Sequence, residues 1–395
     1  MTVGSTWTSF ARWWRMPDPI PYGHQWVDDA DVRIVDEALR SDYLTTGPAI
    51  PAFEEALASA AGTRRAVAVN SGTAALHAMY FAAGIGPGDE IVTSPMTFAA
   101  TANAALYLGA TVRFVDVDRA TGNIDPACVE PALSDRTRAV VAIDYAGQPA
   151  DYDALRTIAA GRSLALLADA AHALGASERG RPVGSLADAS AFSFHPVKPI
   201  TTAEGGAVTT DDDDLADRAA RFRTHGITRD RSELERDEGP WYHEQHDLGF
   251  NYRLPDVLAA LGRSQLARLQ RFIERRREIA RRYAEALADL EAIELPSVRE
   301  GAEPGWHLFV VMVRDAGRRR TFFERLHELG IGVQVHYIPV YLHPFYRRLG
   351  YAAGLCPIAE DRYARSITLP VFPRMTDSEV DTVIDRVRSA AAQVL

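Results

Sequence analysis

The sequence predicts an α/β chain: a mostly parallel central sheet with helices on both faces, followed by a small α+β C-terminal domain. Three observations carry this reading. Through the first half of the chain, short continuous apolar runs alternate with helical patterns, as in a sheet covered on both sides. At Pro255 the alternation stops, and a long helical pattern follows with no strand to feed. The 395 residues, 47% of them apolar, exceed what one average domain needs for its core. The expected division is an N-terminal extension over 1–20, a large α/β domain over 21–254, and a smaller domain over 255–395.

In chain order, Asp28 to Leu39 and Pro51 to Ala61 read as helices, with Ser41-Asp42 and Thr46-Gly47-Pro48 as turn signals between them. Strands are expected at Arg65 to Val69, Glu90 to Thr93, Thr111 to Val117, Ala139 to Ile143, Leu164 to Ala168, Ala191 to Phe194 and Ala207 to Thr209. Helical stretches fall at Thr73 to Ala83, Thr97 to Leu108, Pro126 to Leu133 and Asp151 to Ala159, and the aspartates at 211–214 suit a solvated helix start. Beyond Pro255 one long helix through Leu287 is expected, then a strand (Trp306 to Val313), a helix (Arg318 to Glu328), a strand (Val333 to Tyr337) and a final helix. Thr376-Asp-Ser-Glu379 has the capping-box spacing that starts such a helix.

Composition excludes several function classes. A net charge of −10 argues against nucleic acid, whose binding depends on neutralising phosphates with Lys and Arg. Seven arginines between Arg268 and Arg282 interleave with Leu269, Ile273, Ala280 and Tyr283, so that charge run reads as the solvated side of an amphipathic helix. Cys128 and Cys356 form no disulfide framework and no metal-spaced cluster, which suits a reducing cytoplasm. No run of eighteen apolar residues occurs, so no membrane span is expected. Trp7, Phe10, Trp13 and Trp14 near the start are broken up by Arg12 and Arg15 and lack the apolar core of a signal peptide. His243 and His246 are read as structural or substrate-lining residues, with no metal, because no third ligand accompanies them.

Chemistry concentrates around residues 189–208. Ala191 to Phe194 reads as a short strand, and Pro196 and Pro199 prevent a strand or helix from continuing past it, so Lys198 sits on an irregular loop. Flanked by Phe192, Phe194 and Ile200, its amine would be partly desolvated, which favours the neutral nucleophile that a Schiff base requires. Gly205 and Gly206 allow close backbone approach, as a phosphate-bearing ligand would need. Asp169 ends the apolar run SLALLAD, which places a carboxylate at the carboxyl edge of the sheet, where open α/β folds bind ligands. The run Asn70-Ser71-Gly72-Thr73 follows one strand and opens a helix, where unpaired N–H groups and the helix dipole make an anion site.

These stretches resemble the DegT/DnrJ/EryC1/StrS family of pyridoxal-phosphate-dependent sugar aminotransferases. The strings FSFHPVKPITTAEGGAV, IPYGHQWVDDADV, SDYLTTGP, AVAVNSGTAALHA, GPGDEIVTSPMTFAATANAALYLGA, ADAAHALGA, THGITRD, LGFNYRLPD and VQVHYIPVYLHPFY carry the resemblance in order from about Ile20 to the C-terminus. It implies the aspartate-aminotransferase-like fold type I and pyridoxal 5′-phosphate as cofactor. Lys198 would hold the cofactor and then act as acid and base, with Asp169 on the ring nitrogen, His172 beside the ring hydroxyl and Phe98 stacked on the ring face. Gly72, Thr73 and Ser193 would grip the phosphate. Asn251 would complete the grip from a neighbouring subunit, making at least a homodimer with shared sites. By the same resemblance Tyr22, Thr46, Tyr145, His336 and Tyr337 line the substrate region. The HPVK-type segment suggests transfer from glutamate to C4 of a TDP- or UDP-linked 4-keto-6-deoxy sugar. Transfer to a 3-keto sugar nucleotide and a non-catalytic cofactor-binding regulator are the alternatives.

Overall fold

Seven apolar segments build the central sheet of the computed structural model, which describes residues 19–395. The extension with Trp7, Phe10, Trp13 and Trp14 lies outside the described residues. The strands are β1 (Arg65–Val69), β2 (Glu90–Thr93), β3 (Thr111–Phe114), β4 (Thr137–Ile143), β5 (Ala165–Asp169), β6 (Ala189–Ser193) and β7 (Gly206–Thr210). Their spatial order is β1-β7-β6-β5-β4-β2-β3. All neighbours run parallel except at β7, which is antiparallel to both β1 and β6. Hence β1, β5 and β6 share one direction, and their last residues, Val69, Asp169 and Ser193, emerge at a single edge.

Side-chain alternation divides the core between the two faces. Val67, Val69, Ile91 and Val141 join one buried cluster with the helix Gly72–Ala82, whereas Ala66, Ala68, Val92 and Val140 join another with the helix Ala49–Ala61. A third cluster lies around an antiparallel three-stranded sheet of Ile293–Glu294, Phe309–Val313 and Ser366–Leu369, packed by the helices Leu269–Ala286, Arg319–Glu328 and Asp377–Val394. The capping box forms as expected, with Thr376 and Glu379 bonding each other's backbone N–H.

Four expectations need correction. The long helix is two, Asp256–Leu266 and Leu269–Ala286, broken where Arg268 turns to meet the carboxylates of Asp28 and Asp31. The strand expected over Val333 to Tyr337 is reduced to one bridge between Gln334 and Thr368, because the side chains that follow line a cavity. The helix expected from Thr97 begins at Ala100, and Thr97, Phe98 and Ala99 border the same cavity. The strand expected from Trp306 begins at Phe309, since Trp306 has a left-handed backbone with φ +48°.

Candidate active site

A cavity of about 1150 Å³ opens at the carboxyl edge of the sheet. Lys198 enters it from the loop after β6. That loop is pinned by Lys198 N–H donating to the His195 carbonyl (2.9 Å), and by Thr201 Oγ1 (3.1 Å) and Thr202 N–H (3.0 Å) donating to the Phe194 carbonyl. Lys198 is half-buried because one side of it borders the cavity. Burial pulls its pKa down to about 8, against the opposing charge of Asp169.

Asp169, 7% exposed, ends β5 in the cavity wall. Its Oδ2 accepts from Thr101 Oγ1 (2.5 Å) and its Oδ1 from Ala171 N–H (3.2 Å), while the Thr97 and Thr101 hydroxyls lie 2.7 Å apart. Burial raises the carboxyl's pKa, and these hydrogen bonds and the Lys198 charge oppose the rise. His172 sits in the turn after β5, with its Nε2 3.0 Å from the Tyr337 hydroxyl. Burial holds this ring well below its ordinary pKa, so it is neutral. When Tyr337 donates to Nε2, the proton resides on Nδ1, which is buried with no partner. His307 packs against it at 4.4 Å between ring centroids, and its Nδ1 is likewise unpartnered.

Across the cavity the helix Gly72–Ala82 starts at Ser71, whose Oγ accepts the Ala74 N–H at 3.0 Å. The N–H groups of its first turn have no acceptor within the helix. Gly72 presses on the end of β6: a Cβ there would stand 2.8 Å from Ser193 Cβ. Thr73 and Ser193 line the cavity beside it. Phe98 is 65% exposed at the cavity wall, and Tyr22, His336 and Tyr337 border the same space. His336 Nδ1 lies 2.8 Å from Thr368 Oγ1, and burial lowers its pKa to about 3.

The structure therefore brings together Lys198, Gly72, Thr73, Phe98, Asp169, His172, Ser193, Tyr22, His336 and Tyr337. Three residues fall elsewhere. Tyr145 is buried behind the wall, its hydroxyl donating to the His336 carbonyl, so it supports the lining without joining it. Thr46 is in an exposed turn with φ +56°. Asn251 is exposed and outside this chain's own cavity, paired through its backbone with Thr224. In the HEQH loop, His246 Nε2 lies 2.9 Å from Glu244 Oε2. Sequence reasoning missed Thr101 and His307, which no periodicity distinguishes. It also passed over a signal in plain view: of 43 Lys and Arg residues, Lys198 is the single lysine.

Comparison with known proteins decides the family. The DegT/DnrJ/EryC1/StrS aminotransferase family matches residues 26–388. The chain belongs to this family. It is 41% identical to the spore coat polysaccharide biosynthesis protein SpsC of Bacillus subtilis over 93% of this chain and 96% of SpsC. Its fold matches PseC of Helicobacter pylori, an aminotransferase involved in the biosynthesis of pseudoaminic acid, with a TM-score of 0.89 and 33% identity over 95% of this chain and all of PseC. DesV of S. venezuelae, solved in complex with a ketimine intermediate, matches with a TM-score of 0.87 and 33% identity over 96% of this chain and 100% of DesV. The chain is thus a sugar aminotransferase of fold type I, and its cofactor is pyridoxal 5′-phosphate.

The residues present fit that cofactor on observations of this structure. The Lys198 amine and the Asp169 carboxylate border one cavity, and the helix start at Gly72 and Thr73, where no Cβ fits on Gly72 against Ser193, lines the same space with N–H groups that have no acceptor within the helix.

Proposed function

We propose that the enzyme moves the amino group of glutamate to C4 of a TDP- or UDP-linked 4-keto-6-deoxy sugar, giving a 4-amino-4,6-dideoxy sugar nucleotide and 2-oxoglutarate. The observation that carries the reading is the meeting of the half-buried Lys198 amine and the buried Asp169 carboxylate in one cavity. The likeness to PseC supports amination in a sugar pathway, and the HPVK-type segment around Lys198 supports C4.

Bound pyridoxal phosphate supplies an electron sink next to the donor's α carbon. Asp169 would hold the ring nitrogen's proton in place by its negative charge, and Thr101 and the Ala171 N–H orient that carboxylate. Gly72, Thr73 and Ser193 would bind the phosphate, and Phe98 would pack on the ring. Lys198 Nζ, with its pKa near 8, has a far larger neutral fraction at neutral pH than an ordinary lysine. It would serve as base and then as acid for the proton on the donor's α carbon. His172, held by Tyr337, would stand beside the ring hydroxyl. Amino and oxo groups are exchanged between donor and sugar, so the half-reactions balance without an added oxidant.

Each site takes Asn251 from a second copy of the chain. Asn251 stands outside its own cavity in a stretch that also exposes Leu248 at 82% and Phe250 at 40%, apolar surface which a partner would cover. Two unpaired cysteines accord with a cytoplasmic setting.

The test is spectroscopic. Purified protein loaded with cofactor absorbs visibly, bleaches with glutamate, and recovers with 2-oxoglutarate or a TDP- or UDP-4-keto-6-deoxy sugar. Turnover of 3-keto sugars alone would refute the regiochemistry, and colour unmoved by any amino donor would refute transfer. Lys198→Ala removes the band of the lysine-bound cofactor.

A further inference from the structure

The helix Leu269–Ala286 holds one arginine that its charge pattern does not explain. Arg275 and Arg277, on either side, pair with Asp377 and Glu303 at the surface. Arg276 is 1% exposed, and no carboxylate pairs with it among the described residues. The solvated-face reading of this arginine run therefore fails at Arg276. A buried guanidinium without a counterion is costly to maintain, so its contacts call for a reason. Burial pulls its pKa down to about 9.

All its partners are carbonyls, and they belong to the segments that make the cavity. Nη1 donates to the carbonyls of Val371 (2.7 Å), Trp306 (3.3 Å) and His307 (3.4 Å), and Nη2 to that of Val197 (3.5 Å). Val197 precedes Lys198. His307 packs on His172. The Val371 N–H donates to the carbonyl of Tyr22, another lining residue. Another buried arginine, Arg362, also donates to carbonyls, those of Arg119 and Thr121, neither of which lines the cavity, and it acts as well on the Tyr145 hydroxyl. Carbonyl binding alone is thus a stabilising device available elsewhere in the fold. What sets Arg276 apart is which carbonyls it gathers.

We infer that Arg276 is a positioning residue for amine transfer: its fork ties the Lys198 loop to the His307 and Val371 segments and so fixes the lysine against the opposite wall. The inference rests on Lys198 being the cofactor-bearing lysine. The titratable groups that act on Lys198 are Asp169, His172, His307 and His336, none of which Arg276 replaces.

The single lysine makes the test clean. In cofactor-free protein, the rate of modification of Lys198 by an amine-directed acylating reagent, followed against pH by peptide mass mapping, reads the setting of that one amine. Arg276→Met is expected to move the midpoint from near 8 back toward the ordinary lysine value as the loop loosens into water. In the loaded enzyme kcat falls about tenfold or more, while KM for glutamate and for the keto sugar stays within about twofold. Arg275→Met, which removes the neighbouring guanidinium on the same helix, bonded to Glu278, Asp377 and the Met375 carbonyl and to nothing that lines the cavity, moves neither reading. Should Arg276→Met fail to fold, Arg276→Gln, which keeps an amide donor, carries the same comparison. An unchanged midpoint and kcat in a folded Arg276 variant would overturn the inference. So would equal effects from Arg275→Met, or failure of both Arg276 variants to fold while Arg275→Met folds. A wild-type enzyme that forms no cofactor adduct at Lys198 on borohydride reduction would overturn the lysine assignment beneath it, a result distinct from any confined to the Arg276 variants.

Discussion

Gly72 and Ser193 approach so closely that a Cβ on Gly72 would meet the Cβ of Ser193 at 2.8 Å and its Oγ at 3.1 Å. The first turn of one helix is thereby held on the last residue of β6, five residues before Lys198. The Gly72→Ala change must push the two apart, at a cost of about 1–3 kcal/mol for an overpacked contact. If this junction is the phosphate cradle, cofactor affinity falls by more than the thermal stability of the cofactor-free protein would suggest. Absorbance titration with pyridoxal phosphate, set beside melting of the unloaded protein, checks this. An Ala variant with unaltered affinity would show that the phosphate lies elsewhere.

Lys198, as the only lysine, gives a second expectation. In the cofactor-free protein its reactivity should rise with a midpoint near pH 8, well below that of an exposed lysine. Asp169 opposes the shift, since its negative charge favours the ammonium. Asp169→Asn should therefore lower the midpoint further, and a rise would mean that the two groups do not interact. Borohydride reduction of the loaded enzyme should place one cofactor equivalent on the peptide containing residue 198 and on no other side chain.

Thr101 is a third point of leverage, because its hydroxyl reaches Asp169 Oδ2 from the helix Ala100–Tyr107. Thr101→Val keeps the shape and deletes one donor to a buried carboxylate, a bond of roughly 1.5–3 kcal/mol, or about one to two powers of ten in rate if all of it acts in the transition state. That hydrogen bond lowers the Asp169 pKa, so its loss raises it. The acid limb of the pH–kcat/KM profile should accordingly move to higher pH in the variant. A uniform loss of rate with an unmoved limb would assign Thr101 to packing alone.

Local sequence carried the sheet well, because each strand is a short apolar run between turn signals and the parallel order buries both faces. Lys198 and Asp169 were legible for the same reason: both follow apolar strands that end at the carboxyl edge. What escaped depends on contacts between distant residues. Ala267 and Arg268 are good helix formers, and the break there comes from Asp28 and Asp31, 240 and 237 residues away. Arg276 sits in a run whose pattern suggests a wet face, and only the folded chain shows the carbonyls around it. Thr46 lies within a family-like string and the same resemblance assigns Tyr145 to the substrate region, yet one is in an exposed turn and the other props the wall from behind. A string match fixes neighbourhood in sequence, not the direction of a side chain.

Asp144, next to Tyr145, is fully buried and supplies a prediction about stability. Its carboxylate takes the Tyr152 hydroxyl on both oxygens (3.0 Å each) and the Ala150 N–H on Oδ1 (2.9 Å). Burial pushes its pKa up to about 7 from 3.8, with the nearby charge of Asp169 acting in the same direction against those bonds. A carboxyl whose folded pKa is raised binds more protons folded than unfolded between those two values. Its contribution is therefore fully present below about pH 4 and is lost as pH rises through about 7. Asp144→Asn, which cannot ionise, removes that slope. The variant should melt above the wild type at pH 8, by an amount corresponding to about 1–2 kcal/mol, and at or below it at pH 5, where the wild-type carboxyl is already neutral. Differential scanning calorimetry of both cofactor-free proteins at the two pH values decides it. A deficit of equal size at both would mean that Asp144 is ionised in the folded chain throughout.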